Sequence, residues 1–297
     1  MDVQEFSLKR KEYVTEIDAA LSSYLEDERI LPLMRESMRY SLMSGGKRIR
    51  PTVLLACNEL CGGTREIAMP LAAGLEMIHT YSLVHDDLPA IDNDTIRRGR
   101  STNHVVFGEA NAILTGDGLL NYAYEVMLEG AERAKSLPAY VRAMYYISEC
   151  AGPRKLIAGQ MADLAHEGDV AAGLKELNYI HDNKTGSLFH AAAVGGALVG
   201  CADDDVLKAV TNYSRNIGLA FQIADDILDV TGGEKLGKTT GKDAAAGKLT
   251  FVRVYGLDRA EKLAKETAEK AIDALRAFGP EADFLRQIAR MVVERDH

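Results

Sequence analysis

The sequence predicts an all-α fold, built as a single-domain bundle of roughly ten or more helices around a central cavity. Apolar residues recur with a helical period along nearly the whole chain, and the strict alternation typical of strands is absent. No Pro-, Gly- or Ser-rich linker divides the 297 residues, and a hydrophobic content of 47% is sufficient for a large core. We therefore expect residues 1–297 to form one domain in which long helices pack against each other.

The individual helices follow from this periodicity and from the residues that interrupt it. Leu33, Ser37 and Tyr40 share one helical face, and the glycines at positions 45 and 46 end that helix. Pro51 stands where the next helix begins, because proline loses no intrahelical hydrogen bond there. Further helices are predicted over residues 67–87, 108–129, 139–150, 174–199, 206–230 and 258–278.

Composition and charge argue against several classes of partner. The net charge is −9 and no basic run is present, so we expect no nucleic-acid partner. The acidic start of the chain lacks the apolar core of a signal peptide, and no apolar stretch approaches the length of a membrane span. The four cysteines show no zinc-binding spacing. These features indicate a reduced, cytoplasmic protein.

Two aspartate clusters in apolar stretches supply candidate metal ligands. They consist of Asp86, Asp87 and Asp92 in the first cluster and Asp225, Asp226 and Asp229 in the second. Buried carboxylates are costly unless a positive charge lies between them. Oxygen ligands and an anionic substrate that bridges the two clusters fit Mg²⁺, which protein carboxylates and substrate phosphates usually hold together.

The spacing within each cluster indicates which carboxylates converge. Asp225 and Asp229 are four residues apart and therefore project from one helix face, whereas Asp226 points elsewhere. The outer aspartates of the first cluster are six residues apart, and Pro89 between them breaks the helix so that both can approach the same ions. Arg97 follows shortly afterwards with a second arginine, which an acidic helix end alone does not explain.

With these residues the chain resembles a short-chain trans-isoprenyl diphosphate synthase of the bacterial farnesyl or geranylgeranyl type. The resemblance covers residues 40 to 297, and a series of motifs in the family's order makes it specific. The motifs occupy residues 45–51, 76–79, 86–92, 97–99, 108–110, 159–160, 184–186, 221–222, 225–229 and 236–238. The resemblance implies an isoprenoid synthase-like fold, a site for three Mg²⁺ ions and a homodimer in which the helix over 108–129 is a plausible interface.

The same resemblance assigns cations to two diphosphates. The positions that hold isopentenyl diphosphate in the family are Lys47, Arg50, His79 and Arg98 here, and those that hold the allylic diphosphate with Mg²⁺ are Arg97, Lys184 and Lys238. Lys248 falls in the same basic segment, and the role of Lys242 stays open. Arginine suits bidentate phosphate contacts, and lysine acts as a mobile point charge.

The implied reaction is Mg²⁺-assisted ionisation of the allylic diphosphate, followed by attack of the isopentenyl double bond on the resulting cation. No protein nucleophile is required, and the resemblance implies that the released pyrophosphate takes the final proton. Lys184 is expected in the catalytic group, Thr185 and Gln222 offer oxygen dipoles near the cationic carbon, and Phe221 shields that carbon from water.

Tyr81 and Ser82, five and four residues before Asp86, point into the apolar pocket that sets product length. A bulky Tyr81 at the floor, with two extra residues in the first aspartate motif, favours a C15 farnesyl product, while a C20 geranylgeranyl product remains the alternative. A terpene cyclase or head-to-head synthase would lack the second diphosphate site. A non-catalytic subunit of a heteromeric synthase typically loses one aspartate cluster, and a longer-chain enzyme would favour small residues at positions 81 and 82.

Overall fold

The computed structural model describes residues 1–169, 171–232 and 247–294, and these residues form one helical bundle. Its first half contains α1 (Val3–Tyr24), α2 (Pro32–Leu42), α3 (Ile49–Leu60), α4 (Arg65–Asp86), the strands β1 (Ile96–Arg97) and β2 (Arg100–Ser101), α5 (Asn103–Phe107), α6 (Glu109–Ala131) and α7 (Leu137–Ala151). Its second half contains α8 (Leu156–Ala165), α9 (Leu174–Ile180), a π-helical turn (His181–Thr185), α10 (Gly186–Val199), α11 (Asp204–Thr231), α12 (Phe251–Tyr255), α13 (Leu257–Ala274), a 3₁₀ turn (Pro280–Ala282) and α14 (Asp283–Glu294). The all-α prediction is confirmed.

Side-chain caps fix where several helices begin. Asp2 accepts a hydrogen bond from the backbone N–H of Glu5, whose own side chain accepts from the N–H of Asp2. Asp203 accepts a hydrogen bond from the backbone N–H of Val206 at the start of α11, and Thr250 accepts one from that of Arg253 at the start of α12.

The core is organised around α10, which is buried along its whole length. Small residues allow this: a side chain at Gly196 would meet the carbonyl oxygen of Leu54 at 2.2 Å, so glycine lets α10 pack directly on α3. Gly74 has the same role between α4 and α6, where an added Cβ would lie 2.5 Å from the side chain of Met127. A second, smaller apolar cluster joins α12 and α13 to α11.

Helix α4 departs from the expectation that no apolar stretch approaches the length of a membrane span. Helix α4 is long and apolar enough to cross a membrane by length and composition alone. However, 72% of its apolar window is buried inside the bundle, which is typical of a core helix. Its burial in the core accounts for the apolar composition of this helix.

The sequence placed most helices correctly but missed three features. The predicted continuous helix over 174–199 is interrupted by the π-helical turn. A hairpin of two-residue strands is present although no strand was expected, and the helices α1, α5, α8, α12 and α14 were not predicted. The apolar face of α1 is reduced to Tyr13, Ile17 and Leu21, which is a weak periodic signal.

Candidate functional site

A cavity of about 910 Å³ opens between α3, α4, α8, the π-helical turn, α11 and the hairpin. Most of the residues that the sequence singled out line this one space. They are Lys47, Arg50, His79, Tyr81, Ser82, Asp86, Asp92, Arg97, Arg98, Lys184, Thr185, Phe221, Asp225, Asp229 and Lys248. Residues from five separate segments of the chain therefore converge, with carboxylates and cations on the same walls.

The end of α4 brings the first aspartate cluster together. The helix ends at Asp86, and the chain folds back so that the backbone N–H of Asp92 donates to the carbonyl of Asp86 at 2.9 Å. This confirms that the outer aspartates approach each other. Burial raises the pKa of Asp86 to about 6, and the charge of Asp92 adds to the effect while Lys184 opposes it. A cation near Asp86 would relieve this cost.

The middle aspartate of each cluster does not line the described part of the cavity. Asp87 is 3% exposed and accepts a bidentate contact from the guanidinium of Arg97, with Nε at 2.8 Å and Nη2 at 2.6 Å from Oδ1. Asp226 is also 3% exposed and faces the start of α12. The metal-ligand prediction for these two residues therefore needs correction, because adjacent helical residues project about 100° apart.

The hairpin presents the two arginines. Arg97 pairs with Arg100 across the strands, and the loop residues Arg98 and Gly99 both have positive φ (53° and 73°), as type I′ turns require. Gly46 lies against the Arg98 guanidinium, where an added Cβ would come within 2.9 Å of it. Arg98 also donates to the carbonyl of Gly45. Glycine in the 45–51 loop thus lets this arginine lie directly on the backbone.

Arg48 and Glu76 form a buried ion pair that sequence reasoning missed. Their side chains are 1% and 3% exposed, and Nη1 of Arg48 lies 2.7 Å from Oε1 of Glu76. Arg48 also donates to Asp18 at 2.8 Å and to the carbonyl of Leu42 at 2.7 Å. Burial by itself lowers the pKa of Arg48, but the two carboxylates outweigh it and raise the pKa. The pair fixes the 45–51 loop, and its members lie in two of the motifs quoted above.

Arg50 and His79 meet on the wall formed by α3 and α4. Nη1 of Arg50 lies 3.2 Å from Nε2 of His79, and since arginine only donates, this nitrogen is the acceptor. Burial, and then the charge of Arg50, hold the pKa of His79 well below its ordinary value, so the imidazole is neutral. The Arg50 guanidinium also lies over the rings of Phe189 and Phe221, at 5.0 and 5.6 Å.

The π-helical turn positions Lys184 and Thr185. An added Cβ on Gly159 would lie 2.2 Å from the backbone nitrogen of Lys184, so glycine lets α8 approach the turn closely. Nζ of Lys184 contacts Oδ2 of Asp163 at 2.6 Å. Burial lowers the pKa of Lys184, but Asp86 and Asp163 outweigh this effect and raise it. Asp163, which sequence reasoning did not single out, therefore holds the lysine at the cavity.

Gln222 stands behind Thr185 and is absent from the cavity lining in the described part of the chain. The Thr185 hydroxyl donates to Oε1 of Gln222 at 2.6 Å. The prediction that Gln222 itself faces the substrate therefore needs correction: its side-chain oxygen binds the Thr185 hydroxyl, and Thr185 is the residue that lines the cavity. Lys248 crosses to the opposite side and contacts Oδ1 of Asp92 at 3.2 Å. Lys238 and Lys242 lie outside the described residues.

Tyr81 and Ser82 lie on the part of α4 that precedes the aspartates. Tyr81 is 6% exposed, and its ring meets the edge of His85 at a centroid distance of 5.8 Å. Burial raises the pKa of the Tyr81 hydroxyl to about 12, and the nearby Tyr124 of α6 contributes. The Ser82 hydroxyl donates to the carbonyl of His79 at 2.9 Å. The ring of Tyr81 thus packs against His85 on α4 and lies near Tyr124 of α6.

Gln160 is a further lining residue that the predicted set omitted, although its motif at 159–160 signalled it. Both polar atoms of its side chain are buried, and neither has a hydrogen-bond partner among residues 1–169, 171–232 and 247–294. A buried amide without partners costs about 1–3 kcal/mol. A polar ligand in the cavity would satisfy it.

The carboxylates suit a hard cation that is shared with a ligand. Within the described residues, no three His, Cys, Asp or Glu side chains lie close enough to hold a metal ion by themselves. Mg²⁺ is usually held by one or two carboxylates plus substrate phosphates, so the arrangement fits this ion. Asp86 and Asp92 on one wall and Asp225 and Asp229 on the other would supply the protein ligands.

Comparisons with known proteins identify the family of this chain. Residues 31–288 match the family model described as polyprenyl synthetase. The chain is 41% identical to farnesyl diphosphate synthase of Geobacillus stearothermophilus, over 100% of this chain and 99% of the relative. It is 45% identical to geranylgeranyl diphosphate synthase of Cyanophora paradoxa, over 88% and 87%. Among solved structures, an FPP/GFPP synthase from Zymomonas mobilis superposes with a TM-score of 0.86 at 35% identity, over 97% of this chain and 99% of that one.

Proposed function

The chain belongs to the polyprenyl synthetase family of short-chain prenyltransferases, and we propose that it condenses isopentenyl diphosphate with dimethylallyl or geranyl diphosphate to make farnesyl diphosphate. The observation that carries this proposal is the convergence of two carboxylate pairs and two groups of cations in one cavity. One group, around Arg50 and His79, suits the diphosphate of the substrate that does not lose it, isopentenyl diphosphate. The other, around Lys184, adjoins the carboxylates where a leaving diphosphate would bind.

The side chains around the carboxylates act on the departing pyrophosphate and on the cationic carbon. Mg²⁺, when bound with the substrate, would neutralise charge on the departing pyrophosphate. Lys184, held by Asp163, and Arg97, held by Asp87, place fixed positive charges next to the same group. Thr185 offers an oxygen dipole to the cationic carbon, and Phe221 walls that region from water.

The proposed C15 length rests on Tyr81. Its ring lines the cavity, packs against His85 on α4 and lies near Tyr124 of α6, so it can stop a growing apolar chain there. The alternative C20 product is favoured by the relatives that are named as geranylgeranyl diphosphate synthases, with 44–45% identity. Pocket depth below Tyr81 decides between the two products.

We also propose that the protein is a cytoplasmic homodimer. Exposed apolar residues on α6, namely Ile113, Leu114 and Leu128, support a contact between subunits through this helix. Sedimentation of the purified protein would measure the oligomeric state, and a monomer at micromolar concentration would contradict the proposal.

A product assay tests the proposed reaction. Purified protein is incubated with Mg²⁺, labelled isopentenyl diphosphate and, in turn, dimethylallyl or geranyl diphosphate, and the chain length of the product is measured by chromatography. A C15 product is expected with both primers. A C20 product would identify the geranylgeranyl type, and no elongation with either primer would favour the non-catalytic subunit.

A further inference from the structure

Asp226 is the buried carboxylate of the second cluster that faces away from the cavity, and its contacts define a distinct role. Its Oδ1 accepts a hydrogen bond from Nε2 of Gln222 at 2.8 Å, and its Oδ2 accepts one from the backbone N–H of Phe251 at 2.7 Å. Gln222 lies one turn earlier on α11, whereas Phe251 is the first residue of α12. The carboxylate therefore joins α11 to the segment that follows it.

The contact with Asp226 determines which way the Gln222 amide points. Both oxygens of Asp226 accept hydrogen bonds here, so the amide nitrogen of Gln222 faces Asp226 and the amide oxygen faces the other way. That oxygen accepts the hydroxyl proton of Thr185 at 2.6 Å. Since the proton is used in this bond, the lone pairs of the Thr185 oxygen are left to face the cavity that this residue lines.

We propose that Asp226 is a positioning residue that acts through Gln222 to hold the Thr185 oxygen as an acceptor toward the reacting carbon. An acceptor there stabilises a developing positive charge, whereas a rotated hydroxyl would present its proton and oppose that charge. The proposal deepens the proposed function and rests on it, because it presumes that an allylic cation forms beside Thr185.

The Asp226 carboxylate also connects the Thr185 hydroxyl to the segment before α12, which reaches Asp92 on the opposite wall of the cavity. The ring of Phe251 stacks on His181 at a centroid distance of 5.0 Å, and Nε2 of that histidine lies 3.9 Å from Oδ2 of Asp226. Lys248, three residues before Phe251, contacts Asp92 across the cavity. Asp226 therefore fixes the start of α12 and the direction of the Thr185 dipole together.

A double-mutant cycle tests the proposal. Asp226→Asn, Gln222→Leu and the double variant are compared with the wild type, with geranyl and isopentenyl diphosphate as substrates and with Mg²⁺ titrated. Each single change is expected to lower kcat roughly 10- to 100-fold, as the loss of an orienting partner typically does, with KM and the half-saturating Mg²⁺ concentration changed less than about threefold. The double variant is expected to lie within about threefold of the weaker single variant, because both residues act through one chain of contacts.

Other outcomes overturn the proposal. A rise in the half-saturating Mg²⁺ concentration for Asp226→Asn would make Asp226 a metal ligand after all. Multiplied effects in the double variant would mean that the two residues act independently, and a loss of thermal stability with normal kcat would mean a purely structural role. Asp205→Asn, on an exposed turn of the same helix, is the matched control and should behave as wild type.

A second cycle covers the case in which Asp226→Asn is unfolded at the assay temperature. Thr185→Val is then combined with Gln222→Leu, and effects that do not multiply are again expected, whereas multiplied effects contradict the chain of contacts. Failure of the proposed function is separate from all of these results, because it would appear as a wild-type protein that elongates neither primer.

Discussion

Replacement of Glu76 by glutamine perturbs the buried ion pair beneath the 45–51 loop without leaving a cavity. The change leaves the Arg48 guanidinium, whose side chain is 1% exposed, without its buried counter-charge. Breaking a buried pair by removing one partner typically costs about 3–5 kcal/mol. Asp18 still contacts Nε of Arg48 at 2.8 Å, so we expect a loss near the lower end, about 3 kcal/mol.

This loss can be measured by thermal and chemical unfolding. At roughly 2–4 °C per kcal/mol for a chain of this size, the midpoint should fall by about 6–12 °C. Because the pair fixes the loop that carries Lys47 and Arg50, KM for isopentenyl diphosphate should rise more than kcat falls.

The matched control removes the other carboxylate. Asp18 is 41% exposed, and exposed ion pairs contribute about 0–1 kcal/mol, so Asp18→Asn should have a small effect. If Glu76→Gln and Asp18→Asn destabilise the protein equally, burial is not what makes the first pair important and the reasoning is refuted.

Four further predictions concern the cavity and the core. Tyr81→Ala should lengthen the product, whereas Ser82→Ala should not, because the small Ser82 side chain donates to the backbone carbonyl of His79. An unchanged C15 product from Tyr81→Ala would mean that another residue forms the floor of the pocket. Asp225→Ala should lower turnover by at least about 10²-fold with an unchanged unfolding midpoint, and a variant with most of its activity would refute the carboxylate assignment. Gly159→Ala should displace the π-helical turn and lower kcat by about 10²-fold per ångström of misplacement, and wild-type kcat would contradict this. Burial, with nearby cations, lowers the pKa of His190 to about 4, so the folded protein keeps this imidazole neutral. The free energy of unfolding should therefore be unaffected by His190 above pH 6.5 and should fall as the pH drops toward 4, by up to about 1.4 kcal/mol per pH unit. His190→Gln should flatten the dependence of unfolding free energy on pH between 6.5 and 5, and equal slopes in the two proteins would exclude this cause.

Local sequence signals predicted the fold class and much of the site. Helical periodicity is a property of neighbouring residues, so α4, α6 and α11 could be placed to within a few residues. Pro89 was sufficient to predict that Asp86 and Asp92 converge, because a broken helix allows what a regular one forbids.

Long-range contacts could not be predicted in this way. The spacing of the second cluster indicated that Asp226 points elsewhere, but its partner Phe251 lies 25 residues later in the chain. The pairing of Arg48 with Glu76 depends likewise on how α3 and α4 pack. The hairpin strands contain two residues each, which is too short for any periodic signal.

The π-helical turn between α9 and α10 has a consequence for the phase of the two helices. An α-helix advances about 100° per residue, so the wider turn at His181–Thr185 shifts the orientation of everything after it relative to an uninterrupted helix. Leu177 can then belong to the apolar cluster with residues of α11 and α12, while Leu188 faces the cavity. The π-helical turn thus lets the helices on its two sides face different buried surfaces, and it makes the length of this segment, as well as its composition, a determinant of the fold.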